Sequence, residues 1–253
     1  MSDTPKLQQA AEGGCPPAPC SSVPVPYYDR DGITIYHGDC LELIPMMGER
    51  WADCCITDPP YGTKTDQRET WMVGEFSNVL PIALPLIRNA LGNDGAFYCF
   101  TSWTMMADWL LRLQQYFKMQ NILIWDKERH SGCFSPNAWQ YTWEGVFYGT
   151  KGPRKVLDYQ RDVLRTGERG RRQAMQKPVD IIEQMIRASV PEGGTVFDPF
   201  CGTGSTLIAA KRTGRKALGF EIEKTFCEKA AGRLAEEMNF HQTNNALSDS
   251  PEI

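Results

Sequence analysis

The stretch Thr195-Val196-Phe197-Asp198-Pro199-Phe200-Cys201-Gly202-Thr203-Gly204-Ser205-Thr206 decides the fold. Its first three residues form a short β-prone run. An acid, a proline and two glycines at i and i+2 follow, and a helical stretch begins at Ser205. Glycines so placed permit a tight turn and close approach of a ligand to the backbone. The next β-prone run, Ala217–Glu221, ends in an acid 23 residues after Asp198. In nucleotide-binding α/β folds an acid at about that distance meets ribose hydroxyls. A bare GxG often marks only a turn, but the order strand, loop, helix, strand, acid points to a nucleoside site. The loop lacks the third glycine of the dinucleotide fingerprint and the GK[ST] ending of a phosphate loop. Its opening Asp198 would repel a phosphate and attract an ammonium group. A ligand with a cationic amino-acid part and a ribose, such as S-adenosylmethionine, fits these features; NAD and ATP do not.

Outward from this loop, short apolar runs alternate with helical periods. Strands are expected at Ile33–His37, Asp53–Thr57, Ala96–Thr101, Asn121–Trp125, Thr142–Tyr148, Thr195–Phe197 and Ala217–Glu221. Helices are expected at Cys40–Met46, Phe76–Leu91, Thr104–Tyr116, Pro178–Ser189, Ser205–Arg212 and Lys224–Met238, with Pro81 and Pro85 weakening the second. This alternation implies a mostly parallel sheet covered on both faces. Ligands bind such sheets at the carboxyl ends of the strands, where strand order reverses. Residues 1–26, rich in Pro, Ser, Gly and Ala, read as a disordered tail, and 241–253 as a flexible one. Between them, 27–240 reads as one catalytic domain.

Segment 151–176 breaks the rhythm. Residues 151–172 carry eight basic side chains against three acidic ones, a net +5 within a chain of net −4. Val156, Leu157, Val163 and Leu164 are too sparse for a core element, so the segment reads as a basic surface insertion. A polyanion would be drawn there; the plainer alternative is a solvated charged loop. The nine cysteines are scattered without a CxxC pair, which argues against both a zinc site and a disulfide framework and suggests a reducing cytosol. His37, His130 and His241 are too dispersed to suggest a metal. No apolar run approaches the ~18 residues needed to cross a bilayer.

Asp58-Pro59-Pro60-Tyr61 directly follows the run ending at Thr57. Proline stops a central strand, so Asp58 should stand at its carboxyl end. The prolines stiffen the turn and hold still the Asp58 carboxylate, the Pro59 carbonyl and the Tyr61 ring. Two acceptors beside an aromatic face match the exocyclic amino group of a planar base. A simple strand-ending turn is the alternative.

DPPYG at 58–62 followed by DPFCGTGST at 198–206 resembles the amino-group DNA methyltransferases. The tetrapeptide precedes the cofactor loop by 140 residues, as in the beta-class circular arrangement, where a target-recognition segment lies between them. Gln176-Lys177-Pro178 with Ile181, Ile182 and Ile186 resembles that family's helix before the cofactor strand. Gly214-Arg215 through Gly219-Phe220-Glu221 resembles the stretch ending in the ribose acid. Gly38-Asp39-Cys40-Leu41 resembles the early segment at the cofactor's adenine. The likeness runs from about Ile33 to Leu234.

The resemblance implies a Rossmann-like methyltransferase fold: a mostly parallel seven-stranded sheet with helices on both faces and a circularly permuted motif order. It implies methyl transfer from S-adenosylmethionine to a base flipped out of double-stranded DNA, with no membrane association and a homodimer as in many relatives. Catalysis falls to Asp58, Pro59, Pro60 and Tyr61. Cofactor contacts fall to Asp39, Cys40, Lys177, Asp198, Pro199, Phe200, Gly202, Thr203, Gly204, Ser205, Glu221 and Ile222. DNA contacts fall to Arg154, Arg161, Arg165, Arg169, Arg171 and Arg172. Adenine N6 is favoured over cytosine N4, since serine in place of Asp58 is commoner for cytosine. An RNA or protein-amide methyltransferase and a non-catalytic DNA-binding module are the other readings. The loop reads CGTGST where GSGTT is more usual, and the recognition segment is short, which suggests a short or relaxed target. The loop Gly62–Phe76, with Trp71, reads either as a lid over the base or as plain surface; Glu144 reads either as a residue facing the active cleft or, the favoured reading, as a solvated strand residue.

Overall fold

The computed structural model describes residues 23–60, 79–127, 137, 139–166 and 176–248. Along the chain run β1 (Tyr28–Arg30), β2 (Ile33–His37), α1 (Cys40–Met46), β3 (Ala52–Thr57), α2 (Val79–Ala90), β4 (Leu91–Thr101), α3 (Met106–Leu113) and β5 (Lys118–Asp126). Then follow β6 (Trp143–Thr150), β7 (Val163–Arg165), α4 (Val179–Ser189), β8 (Thr195–Asp198), α5 (Ser205–Arg212), β9 (Lys216–Glu221) and α6 (Lys224–Ser248). Among the described residues the sheet has nine strands in the order β1-β2-β9-β8-β3-β4-β6-β5-β7, not the expected seven. The two unread strands, β1 and β7, are three-residue edge pieces, too short to show a period. The last helix continues to Ser248, past its expected end at Met238.

Strands with both faces covered must be apolar throughout. In β3, Cys54 and Ile56 face one cluster while Cys55 faces the other, and all three are fully buried. In β4, Ala96, Tyr98 and Phe100 alternate with Phe97 and Cys99 in the same way. One cluster joins the sheet to α4, α5 and α6 through Ile182, Met185, Leu207 and Leu234. The other joins it to α1, α2 and α3 through Ile44, Leu84, Ile87 and Trp109. The second helix forms despite Pro81 and Pro85. Its buried residues Leu80, Ala83, Leu84, Ile87 and Ala90 lie on one helical face, and packing outweighs the hydrogen bond lost at Pro85. The six described cysteines are buried thiols without a disulfide. Among the described residues no helix is long and apolar enough to cross a membrane.

Strand direction positions everything that follows. β2, β9, β8, β3, β4, β5 and β7 point one way, and β6 runs antiparallel between β4 and β5. The start of β6 therefore lies at the carboxyl edge of its neighbours, and its end lies at their amino edge. The segment expected to be a surface insertion leaves β6 at that far edge and returns as β7, whose Leu164 is only 3% exposed and belongs to the core. Leu164→Ala should cost about 2–5 kcal/mol in urea unfolding, and a loss below about 1 kcal/mol would remove β7 from the core.

Candidate active site

From β8 the chain moves to β9 on one side, and from β3 it moves to β4 on the other. The β3–β8 boundary is thus the switch point of the sheet, the place where α/β folds leave a crevice. A cavity of about 350 Å³ opens there. It is lined by Asp58, Pro59 and Pro60 from the end of β3 and by Asp198 to Thr203 from the end of β8. Asp39 and Cys40 line it after β2, Glu221 and Ile222 after β9, and Lys177 before α4. Two tetrapeptide neighbourhoods that lie 140 residues apart in sequence are side by side. Tyr61, Trp71 and the rest of Gly62–Phe76 lie outside the described residues.

Asp198 ties the site together. Its Oδ1 accepts hydrogen bonds from Thr57 Oγ1 at 3.0 Å and from the Phe200 N–H at 3.1 Å. Its Oδ2 accepts one from Thr206 Oγ1 at 2.7 Å. The side chain is almost fully buried, and burial pushes its pKa up to about 7; the three donors oppose that rise and Asp58 adds to it. The carboxylate expected to meet an ammonium group therefore also joins β3, the glycine loop and α5. Neither threonine was anticipated from the sequence.

The two glycines have different tasks. Gly202 has φ +50 and nothing within 4 Å of where a Cβ would stand, so its backbone faces open space at the cavity. Gly204 does not line the cavity. It caps α5 at φ +81, and a Cβ there would meet Ala230 Cβ at 2.9 Å. Its smallness serves helix packing, a role the reading of it as a ligand contact did not include. Arg233 of α6 donates to the Thr203 carbonyl at 2.6 Å and holds the loop from outside. Glu221 accepts hydrogen bonds from the Gly202 N–H and the Glu223 N–H, both at 2.8 Å. Burial raises its pKa. Asp39 caps α1 through the Leu41 N–H at 2.8 Å. Ile222 is a large apolar side chain left 43% exposed at the cavity, and Phe200 is half-buried there. Acids and apolar surface on the walls of one crevice suit a nucleoside with a cationic tail.

At the other end of the cavity stands a chain of alternating charges. Lys177 Nζ lies 2.5 Å from Asp58 Oδ2 and 3.4 Å from Glu144 Oε2, and 5.2 Å from the centre of the Phe100 ring. Lys127 pairs with the other oxygen of Glu144 and sits 4.7 Å over the Tyr141 ring. Burial lowers the Lys177 pKa, but the two carboxylates outweigh it and hold the ammonium above its usual range. Burial raises the Glu144 pKa, but the two lysines bring it below the usual carboxylate value. Glu144 is thus a buried ion-paired group at the cleft, the less favoured of its two readings and not the solvated strand residue. Lys177, expected to contact the cofactor, lines the cavity, and its pairing with Asp58 was not foreseen. What places Glu144 there is the antiparallel run of β6, which brings its start to the crevice and leaves no mark in the sequence of the strand.

The basic set divides. Arg154 lies at the amino edge, opposite the crevice. Its side chain is 6% exposed and donates to the Ser189 and Asp94 carbonyls. It is a structural tie between β4 and α4, which corrects its reading as a DNA contact. Arg165, at the carboxyl edge, is largely exposed and 3.4 Å from Asp126, and Arg161 is exposed. Arg169, Arg171 and Arg172 lie outside the described residues.

Residues 52–232 match the family model described as DNA methylase. The DNA adenine methyltransferase YhdJ of Escherichia coli strain K12 is 24% identical over 82% of this chain and 84% of its own. M1.HpyAVI, solved as a complex with SAM, superposes with a TM-score of 0.61 at 21% identity, over 79% of this chain and 98% of that one. The PvuII DNA methyltransferase, cytosine-N4-specific, superposes with a TM-score of 0.64 at 17% identity, over 79% and 85%.

The raised pKa of Asp198 has a sign. The folded protein holds this proton more tightly than the unfolded chain does. The group therefore favours folding below its ordinary value of 3.8, and that contribution is lost as pH rises towards about 7. Its slope is at most about 1.4 kcal/mol per pH unit. Asp198→Asn removes the titration, so its stability relative to the parent should climb across that window and level off above it. Urea unfolding at a series of pH values checks this, and a pH-independent difference would contradict it.

Proposed function

Because the chain belongs to the DNA methylase family, whose members methylate the exocyclic amino group of adenine (N6) or cytosine (N4), we propose that it methylates N6 of adenine in double-stranded DNA. The observation that carries this reading is Asp58-Pro59-Pro60 at the carboxyl end of β3, opening on the same cavity as Asp198 and Glu221. The acid at the head of the tetrapeptide and the likeness to YhdJ favour adenine. The fold alone is shared with a cytosine-N4 enzyme.

When bound, S-adenosylmethionine supplies a methyl group on a sulfonium, whose bonding pair returns to sulfur as the amine lone pair forms the new N–C bond. Glu221 would receive the ribose hydroxyls, Phe200 and Ile222 would hold the adenine, and Asp39 would meet its amino group. Asp198 would draw the ammonium end. Flipping the target base costs a few kcal/mol. Tyr61 stacks on it, and Asp58 and the Pro59 carbonyl accept its two N–H bonds. An aryl amine is a poor nucleophile because its lone pair is spread into the ring. Two fixed acceptors favour a pyramidal nitrogen and free that pair, and Asp58 can take the proton the nitrogen sheds. Preorganised acceptors and positioning supply most of the acceleration.

Incubation with S-adenosylmethionine and unmethylated duplex DNA, digestion to nucleosides and mass spectrometry should yield N6-methyladenine. N4-methylcytosine would change the base and keep the chemistry, whereas no methylated base would refute the reading. Asp58→Ala should lower the rate by about 10²–10³-fold while cofactor binding persists; an active variant would refute the mechanism. Neutralising Arg169, Arg171 and Arg172 should weaken DNA binding and reduce its salt dependence, by about 0.9 in log–log slope for each phosphate left without its cation. Arg154→Met should leave that slope unchanged and lower stability, and an altered slope would return Arg154 to the interface.

A further inference from the structure

Lys127, Glu144, Lys177 and Asp58 come from the end of β5, the start of β6, the approach to α4 and the end of β3, and meet in one line at the carboxyl edge. Side-chain exposure falls to 17% at Lys177, 16% at Glu144 and 9% at Lys127. Stability gives no reason for such a set. Removing charges from water costs about as much as their pairing returns, and apolar replacements are often neutral or better.

Chemistry at Asp58 gives a reason. As the target nitrogen attacks, it gains positive charge, and an anionic Asp58 stabilises it. A lone ammonium 2.5 Å from the Asp58 carboxylate would cancel that charge and compete as a donor. Glu144 shares the same ammonium, so the group Asp58–Lys177–Glu144 keeps one net negative charge. Lys127, which balances it, is held on the far oxygen of Glu144 between the Trp125 and Tyr141 rings, 5.3 and 4.7 Å from their centres. Attraction and repulsion fall with distance, so the end nearest the cavity stays negative.

We propose that Glu144 is a positioning residue for methyl transfer, holding the Lys177 ammonium so that Asp58 presents a fixed and still negative carboxylate to the target amino group. This rests on the reading of Asp58 as the acceptor for that group. Glu144 acts through Lys177, so the two substitutions must not add.

The test is a double-mutant cycle on the full chain with Glu144→Gln, Lys177→Met and the pair. Each is read by single-turnover methylation of duplex DNA and by calorimetric binding of S-adenosylmethionine. Glu144→Gln should slow transfer about 10- to 100-fold, the range expected of a misplaced reacting group, with cofactor affinity unchanged. In the Lys177→Met background the same change should add less than about twofold, because its target is gone. Lys127→Met with Glu144→Met removes a whole ion pair and so spares folding; it should slow transfer as Glu144→Gln does. A folded Glu144 variant with the parent rate, effects that multiply independently, or a rate loss matched by weakened cofactor affinity would overturn the proposal. Failure of the functional reading would show elsewhere: a parent protein that transfers no methyl group, or an active Asp58→Ala, defeats that reading and the proposal together.

Discussion

The hydrogen bond from Thr57 to Asp198 spans 141 residues of sequence and crosses the switch point of the sheet. On one side of it lies the loop that carries Asp58; on the other lies the loop that carries Gly202 and leads to Glu221. Asp198 also holds Thr206 and the Phe200 N–H, so one buried carboxylate sets the spacing between the two halves of the cavity. A carboxylate so buried costs free energy unless its lone pairs are filled. Here they are filled by the parts that must be kept in register.

The rest of the site extends from that junction. Gly202 leaves backbone facing the cavity, Gly204 lets α6 approach, and Arg233 grips the loop from behind. The side of the cavity toward Glu221 is built from acids held by backbone N–H groups, which suits a ligand with hydroxyls and positive charge. The side toward Asp58 is built from carboxylates that share lysines. Both kinds of acid are anionic acceptors, yet the first is fixed by the chain's own backbone and the second by side chains from four separate elements.

How much of this was legible in the sequence depended on strand direction. The parallel strands gave themselves away: Asp58, Asp198 and Glu221 each close an apolar run, and each stands at the crevice as expected. β6 did not, because nothing in Trp143–Thr150 records that the strand runs backwards between β4 and β5. That reversal is why the solvated reading was favoured for Glu144, which opens β6 at the crevice, and it misled the reading of Arg154, which follows β6 at the opposite edge. Direction is a property of the pairing, and pairing is decided by residues far away in sequence. β7 was hidden for another reason: one buried leucine between exposed neighbours carries no period. Gly204 looked like Gly202 because a glycine pattern does not say which face is crowded.

The anchoring of the basic segment sets a rule for exchanging parts. Arg154 fastens its beginning to β4 and α4, and Leu164 fastens β7 to β5. Lys177 fastens its far end to Asp58. A graft from a relative that replaced the whole of 151–176 would remove two of these fastenings and loosen the sheet as well as the basic surface. One confined to the span between Thr166 and Gln176 would leave them intact. The module that can be swapped is therefore about a third of the segment whose composition marks it out, with its limits set by a single buried leucine and an ion-paired lysine.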